Sequence, residues 1–263
     1  MGVLKKIAYK ILCNNITGSI ILFLFKDRIP DMRWKGFSFS LDDEIVTKTI
    51  IASVFWGFYE GAEIRFAEKY FNGTKDVVEM GGSCGVVTAH LTAPLQSDKR
   101  IISVEANKKL RAIWEKNTKR HNTNKAELIL LNNAIHYGSD SVCFQMSNNT
   151  TESGTFKQGD INSNVIAIDA ITLSKIVDTY KLKDYVLVCD IEGSEVEVFL
   201  NETIALDYCS SILIELHPIK YTDTFYSIES LVKLIENRSF TLKDCYGPVH
   251  FFENKRKNNF QTV

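Results

Sequence analysis

Proline is nearly absent, with 4 residues among 263, and glycine is sparse at 14. Collagen-like and linker-dominated architectures are thereby excluded. Net charge is also lacking: 31 Lys and Arg oppose 32 Asp and Glu, for a formal charge of −1. A dedicated nucleic-acid coat needs a basic excess, so a nucleic-acid partner is not expected. Cysteine patterns are missing too. The six cysteines, at 13, 84, 143, 189, 209 and 245, form no C-x-x-C and no Cys/His ligand spacing. Four of them (Cys84, Cys143, Cys189 and Cys209) lie in or beside apolar, strand-like segments, where a free thiol behaves as a small buried hydrophobe. A reducing, cytoplasmic location is expected on that ground.

Long apolar runs are absent as well. The stretch Ile16 to Phe25 follows Lys5, Lys6 and Lys10. It falls far short of the roughly 20 residues that span a bilayer, and no small-residue cleavage site follows it. It reads as a segment packed against the main domain. The alternative is a peripheral membrane or partner surface within residues 1–34. Lys6 stands where an N-myristoylation pattern needs Ser or Thr.

What is present is a rhythm. From residue 75 onward, short β-branched-rich runs alternate with helical patterns, the mark of βα units around a parallel sheet. Strands are expected at Lys75–Met80, Arg100–Ala106, Glu127–Ile135, Tyr185–Ile191 and Ser210–His217. Helices are expected at Val86–Gln96, Lys108–His121, Leu173–Lys181, Glu195–Ala205 and Ser227–Asn237. Phe240–Cys245 and Val249–Glu253 flank Gly247-Pro248 and read as a closing hairpin. Residues 137–164, rich in Ser, Asn, Thr and Gly, read as an insertion with one strand at Ser141–Met146 and a mobile stretch at Ser147–Ser163. Residues 1–74 are expected to be a mainly helical extension or lid, with helix from Asp43 through Tyr70. Residues 75–263 are then the catalytic domain.

The most informative stretch is Glu79-Met80-Gly81-Gly82-Ser83-Cys84-Gly85, where a strand enters a glycine turn before a helix. That arrangement places backbone N–H groups and a helix N-terminus at the strand's carboxyl end. A G-x-G-x-x-G dinucleotide fingerprint needs glycines where Ser83 and Val86 stand, and no Gly-Lys-Ser/Thr of a P-loop follows. Twenty residues past Gly85, Glu105-Ala106 ends the next strand. An acid there can accept hydrogen bonds from both ribose hydroxyls of an adenosine. The pairing resembles the S-adenosylmethionine site of class I methyltransferases, with Glu79 ordering the loop and facing the methionine moiety. On this reading Gly81 and Gly85 permit close backbone approach.

With Asn133-Ala134-Ile135, Asp190-x-Glu192-Gly193-x-Glu195 and Ile214-Glu215-Leu216-His217-Pro218, the chain resembles the FkbM family of methyltransferases over about residues 59–218. The family usually has Asp at the place of Glu79, Ala-Asn at Gly82-Ser83 and Lys at Val188. The resemblance implies an α/β fold: a mostly parallel seven-stranded sheet with helices on both faces and an antiparallel C-terminal strand. It also implies S-adenosylmethionine as cofactor, bound by Glu79, Gly81, Gly82, Ser83, Gly85, Glu105, Ala106, Asn133, Ala134 and Asp190. The implied reaction is O-methylation of a small hydroxylated acceptor such as a sugar or glycan precursor, with a polyketide-type acceptor as alternative. A cofactor-binding module without catalysis and a nucleotide-dependent oxidoreductase are the other readings.

Residues two apart on a strand share a face, so Glu215 with His217, and Asp190 with Glu192, are expected to converge at the strand ends. Asp190 or His217 is the expected base, assisted by Glu192, and His217 has the better unperturbed pKa for that role. A divalent ion on Asp190, Glu192, Glu215 or His217 is the less favoured alternative. Glu195 is read as an acid meeting a helix dipole, and Asp169 as a helix cap. Glu60 and Glu63, on the helix before the core, either reach the site from above or form a solvated helix face.

Overall fold

A computed structural model describes residues 3–42, 44–145 and 165–258. Seven strands form the central sheet: β1 (Asp76–Met80), β2 (Arg100–Val104), β3 (Glu127–Leu131), β4 (Tyr185–Cys189), β5 (Cys209–Glu215), β6 (Phe240–Tyr246) and β7 (Val249–Asn254). Their order is β6-β7-β5-β4-β1-β2-β3. The five strands from β5 to β3 are parallel, and β7 enters antiparallel between β5 and β6. The hairpin expected around Gly247-Pro248 therefore supplies the antiparallel edge.

The apolar runs are nearly continuous because each strand serves two cores. Val77, Ile101, Val186, Val188, Leu213 and Phe251 face the N-terminal helices. Their neighbours Val78, Ile102, Leu187, Ile212 and Phe252 face the helices Leu173–Tyr180, Glu195–Asn201 and Ile228–Glu236. The crossover direction reverses between β1 and β4, which opens a crevice at their carboxyl ends.

Residues 3–70 share the first of these cores, through Ile51, Ile64 and Phe66 among others. Helices occupy Lys48–Phe55 and Gly61–Tyr70, with Thr47 capping the first. The expected continuous helix breaks at Trp56–Glu60, where Gly57 and Glu60 take left-handed φ values of 65° and 47°. Two further helices, Val3–Leu12 and Asn15–Phe25, precede them. Only one side of the second is packed. Gly18 and Ile21 are buried, whereas Ile16, Ile20, Phe23 and Leu24 are exposed, so the packing role expected for this run holds for one face alone. No single helix among the described residues is long and apolar enough to cross a membrane.

Several expected boundaries move for identifiable reasons. The run Glu127–Ile135 is not one strand. β3 stops at Leu131, and Ala134–Ile135 joins a three-stranded side sheet with Val165–Ile171 and Ser141–Gln145. Asn132 turns the chain there, accepting from Arg111 Nε at 2.6 Å and donating to the Glu105 carbonyl at 3.1 Å. Asp169 is not a cap, because it lies within Val165–Ile171, opposite Ser141. Thr172 caps the next helix instead, accepting from Lys175 N at 3.1 Å. The expected helix Glu195–Ala205 is two helices, Glu195–Asn201 and Ile204–Tyr208. Glu202 sits at the break, extended, and accepts from Ser174 N and the Tyr137 hydroxyl. Cys143 is exposed, contrary to expectation, while Cys13 joins Cys84, Cys189 and Cys209 in the interior. Asp43, Met146 and the stretch Ser147–Ser163 lie outside the described residues.

The core also contains a histidine without a sequence signal. His90 is buried and stacked on Phe37 at 3.7 Å between ring centroids; neither ring nitrogen makes a hydrogen bond, and Nδ1 lies 3.5 Å from Glu68 Oε1. Desolvation holds its pKa down at about 3. The unfolded chain therefore binds a proton that the folded chain refuses between pH 6.5 and about 3, and stability falls as pH is lowered through that window. His90→Phe is expected to flatten the acid limb of a melting-temperature profile by up to roughly 1.4 kcal/mol per pH unit. An unchanged limb would show that the imidazolium finds a partner in the fold.

Candidate active site

At the end of β1 the chain turns through Gly81 (φ 93°), Gly82, Ser83 (φ 44°), Cys84 and Gly85 (φ 78°) into helix Val86–Thr92. The glycines are required by the protein's own packing. A Cβ on Gly81 would lie 1.8 Å from the Asp190 carbonyl oxygen, and one on Gly82 would lie 2.2 Å from Ser103 Oγ. One on Gly85 would press on Thr118 and Trp114 at 3.2 Å. The close approach expected at Gly81 and Gly85 is thus made first to the neighbouring strand end and helix.

Glu105 orders the same turn. Its Oε2 accepts from Ser83 N at 2.9 Å and its Oε1 from Asn107 N at 2.7 Å. Each carboxylate oxygen retains acceptor capacity. Ala106 packs beside Ala134 and Ile168, and Asn133 donates to the Asp169 carbonyl at 3.1 Å. These residues form a wall beside Glu105.

Glu79 is buried and points inward. Ser103 Oγ donates to its Oε2 at 2.6 Å, and Thr88 Oγ1 donates to the same oxygen at 2.7 Å. Trp114 Nε1 in turn donates to Thr88 Oγ1 at 3.1 Å. Burial raises the Glu79 pKa to about 7 despite these donors. Ser103 and Thr88 were not anticipated. The available signal for Ser103 was a lone hydroxyl inside an otherwise apolar strand.

Beside the loop, a small cavity of about 20 Å³ is lined by Glu60, Glu63, Glu79, Asp190 and Glu215, together with Val188 and Leu213. Asp190 follows β4, anchored by its N–H on the Met80 carbonyl at 2.9 Å. Its Oδ1 is buried without a hydrogen-bond partner. Desolvation, then the negative charges of Glu215 and Glu192, raise its pKa to about 7. Burial and the Glu63 carboxyl raise Glu215 to about 8. Glu60 and Glu63 do reach the site, and the helix Gly61–Tyr70 carries Glu63 into it. Tyr59 was not foreseen; its hydroxyl and Ser83 Oγ share a 3.0 Å hydrogen bond that ties the extension to the loop.

His217 lies next to this cavity. Its Nδ1 meets Glu195 Oε1 at 3.1 Å, and its Nε2 lies 3.5 Å from Glu192 and 3.6 Å from Glu215. The hydrogen bond to Glu195 is the largest cause of a pKa raised to about 9. Its pKa therefore lies above that of the free imidazole from which the expectation of a base was drawn. Glu195 does begin a helix, but its fully buried carboxylate also accepts from Ile191 N and holds His217. The expected alternation of Asp190 and Glu192 along a strand fails: β4 ends at Cys189, and Glu192 has a left-handed φ of 52°. The turn still delivers Glu192 to His217. Two sets, Asp190/Glu192/His217 and Glu63/Asp190/Glu215, each bring three potential metal-ligand atoms within 4.8 Å of one another.

A glycine turn after β1, an acid after β2 and a crevice at the β1/β4 reversal together define a Rossmann-like α/β fold. The chain belongs to the FkbM methyltransferase family: residues 83–242, more than half its length, match the methyltransferase FkbM domain. No curated protein sequence matches it significantly. Among solved structures, it is similar to a protein from Pyrococcus horikoshii provisionally described as an RNA methyltransferase, at 12% identity and a TM-score of 0.41. That match covers 75% of this chain and 82% of the other. Magnesium protoporphyrin IX methyltransferase from Synechocystis, solved with S-adenosylhomocysteine, aligns at 6% identity and a TM-score of 0.39. It covers 74% of this chain and 80% of the other. Likenesses this distant carry no argument about acceptor or cofactor.

The raised carboxyl pKa values have a thermodynamic consequence. Groups whose folded pKa exceeds the unfolded value stabilise the fold at low pH, and that stabilisation is lost as pH rises through the folded pKa. With Glu79 and Asp190 raised from 4.5 and 3.8 to about 7 and Glu215 raised from 4.5 to about 8, their contribution to the melting temperature is expected to fall as pH rises from about 4 to about 8. Glu215→Gln should lessen that fall. A variant whose profile superimposes on the wild type would remove Glu215 from the coupled set.

Proposed function

We propose that the protein transfers a methyl group from S-adenosylmethionine to a hydroxyl oxygen of a small acceptor, a sugar or glycan precursor. The observation that carries this reading is Asp190. A carboxyl group with a buried, unpartnered oxygen and a pKa of about 7 lines a small cavity beside Gly81 of the glycine loop. Such a group is poised as a general base near neutral pH. The donor set also suits a cationic cofactor, because the cavity lining carries five carboxylates and no lysine or arginine among the described residues.

S-adenosylmethionine, when bound, supplies an electrophilic methyl group on a sulfonium. Glu105 is placed to accept from ribose hydroxyls, with Ala106, Asn133 and Ala134 forming the adjoining wall. Gly81, Gly82, Ser83 and Gly85 hold the loop, and Glu79 supports it from beneath. Asp190 takes the acceptor's hydroxyl proton as the oxygen becomes nucleophilic. His217, its pKa raised to about 9, pairs with Glu195 and Glu192 and is assigned no role as base. Residues 1–74 act as a lid whose Tyr59 and Glu60 close over the loop. The neutral overall charge supports a small acceptor over nucleic acid.

Calorimetry with S-adenosylhomocysteine and with NAD tests the cofactor. Binding of the first and not the second is expected, and the reverse would sink the reading in favour of an oxidoreductase. Glu105→Ala should weaken S-adenosylhomocysteine binding about tenfold or more, as expected for losing hydrogen bonds to a charged group of about 1.5–3 kcal/mol. Asp190→Asn should leave that affinity within a few-fold while lowering kcat by about 10²–10⁴. The wild-type kcat should rise with pH through about 7, the pKa of Asp190. Activity abolished by a chelator and restored by a divalent ion would instead make Asp190 a metal ligand.

A further inference from the structure

The first two helices present an apolar surface that the fold does not use. Of the fourteen large hydrophobic side chains exposed among the described residues, eight fall between Leu4 and Phe25. On helix Val3–Leu12 they are Leu4, Ile7 and Ile11, spaced three and four apart and so aligned on one stripe. On helix Asn15–Phe25 they are Ile16, Ile20, Phe23, Leu24 and Phe25, the first four on one stripe, with Phe23 81% exposed.

This exposure is set by packing on the opposite side. A Cβ on Gly18 would lie 2.1 Å from the Lys48 carbonyl oxygen, so the second helix sits directly on the start of helix Lys48–Phe55. Gly18 and Ile21 face inward at that contact, and rotating the helix to hide Ile20 and Phe23 would force a side chain into it. Cys13 is buried between the two helices and Asn14 caps the second, so the junction is fixed as well.

Charge selects the occupant. Residues 1–26 contain Lys5, Lys6, Lys10 and Lys26 and no Asp or Glu. Lys6, Lys10 and Lys26 are exposed. A two-fold dimer through this face would bring Lys6 and Lys10 of one copy toward those of the other, with no acid on either helix to meet them. An anionic bilayer satisfies both features, taking apolar side chains below its headgroups and lysines among its phosphates. The helices reach the length and apolarity of a span only as a pair, and that pair is bent by 59° and packed through Gly18 on helix Lys48–Phe55, which suits helices lying in the interface. We propose that residues 3–25 form a docking surface that seats the protein on anionic lipid membranes.

This proposal stands independently of the methyl-transfer reading. The full chain would be sedimented with vesicles of phosphatidylcholine alone and of phosphatidylcholine with phosphatidylserine. The expected result is co-sedimentation with the anionic vesicles, decreasing with added salt, and much weaker association with the neutral ones. Ile20→Asp with Phe23→Asp should abolish binding, while each of Lys6→Gln and Lys10→Gln should lower the partition coefficient roughly fivefold. These positions are solvent-exposed, so melting temperature and S-adenosylhomocysteine affinity serve as controls and should not change. Failure to bind either vesicle, or binding indifferent to the aspartate changes, would overturn the proposal. So would a concentration-dependent dimer that Ile20→Asp dissolves in the absence of lipid binding, which would assign the face to a second copy of the chain.

Discussion

The site depends on how the glycine loop sits against the end of β4. The Gly81 α-carbon is so close to the Asp190 carbonyl that even a methyl group has no room, and the Asp190 N–H is held by the Met80 carbonyl. Those two contacts lock adjacent parallel strands at the point where the sheet's winding reverses. Because the lock is made by backbone, it places the Asp190 carboxylate beside the loop whatever the acceptor side of the crevice contains. Ser83 extends the same arrangement to the first domain segment through Tyr59, and to β2 through Glu105.

Around that lock the protein concentrates carboxylates that burial would prefer to neutralise. Glu79 is kept in place by hydroxyl donors from Ser103 and Thr88, and His217, its pKa raised, lies next to Asp190, Glu192, Glu195 and Glu215. Val188, where the family usually carries lysine, is buried between β1 and β5 and lines the cavity. The missing side-chain charge leaves the lining acidic, and the desolvated carboxyls respond by holding protons near neutral pH. A cation entering the cavity meets groups whose ionised forms it would stabilise.

Much of this arrangement was legible from residue order. Alternating apolar runs marked the parallel strands, and the glycine turn and Glu105 marked one corner of the crevice. The Gly247-Pro248 turn marked the antiparallel edge. Elements were misjudged where a long-range hydrogen bond ended them: Asn132 stops β3 by binding Arg111 and the Glu105 carbonyl, and Glu202 splits a helix by capping Ser174. Local pattern contains no record of such partners. The stripe over Ile16, Ile20 and Phe23 likewise reads as core in one dimension. Its outward direction follows from the contact of Gly18 with Lys48, 30 positions away.

The amino-acid order by itself determined the α/β class, the glycine loop, the acid after the second strand and the family, because these rest on spacing within short segments. Tertiary structure decided which acids share a cavity, that Asp190 and Glu195 each keep a buried, unpartnered oxygen, and that Glu195 pushes the His217 pKa upward. Those properties are set by burial and by charges brought together from distant parts of the chain, and a pKa responds to that environment more than to the identity of the residue.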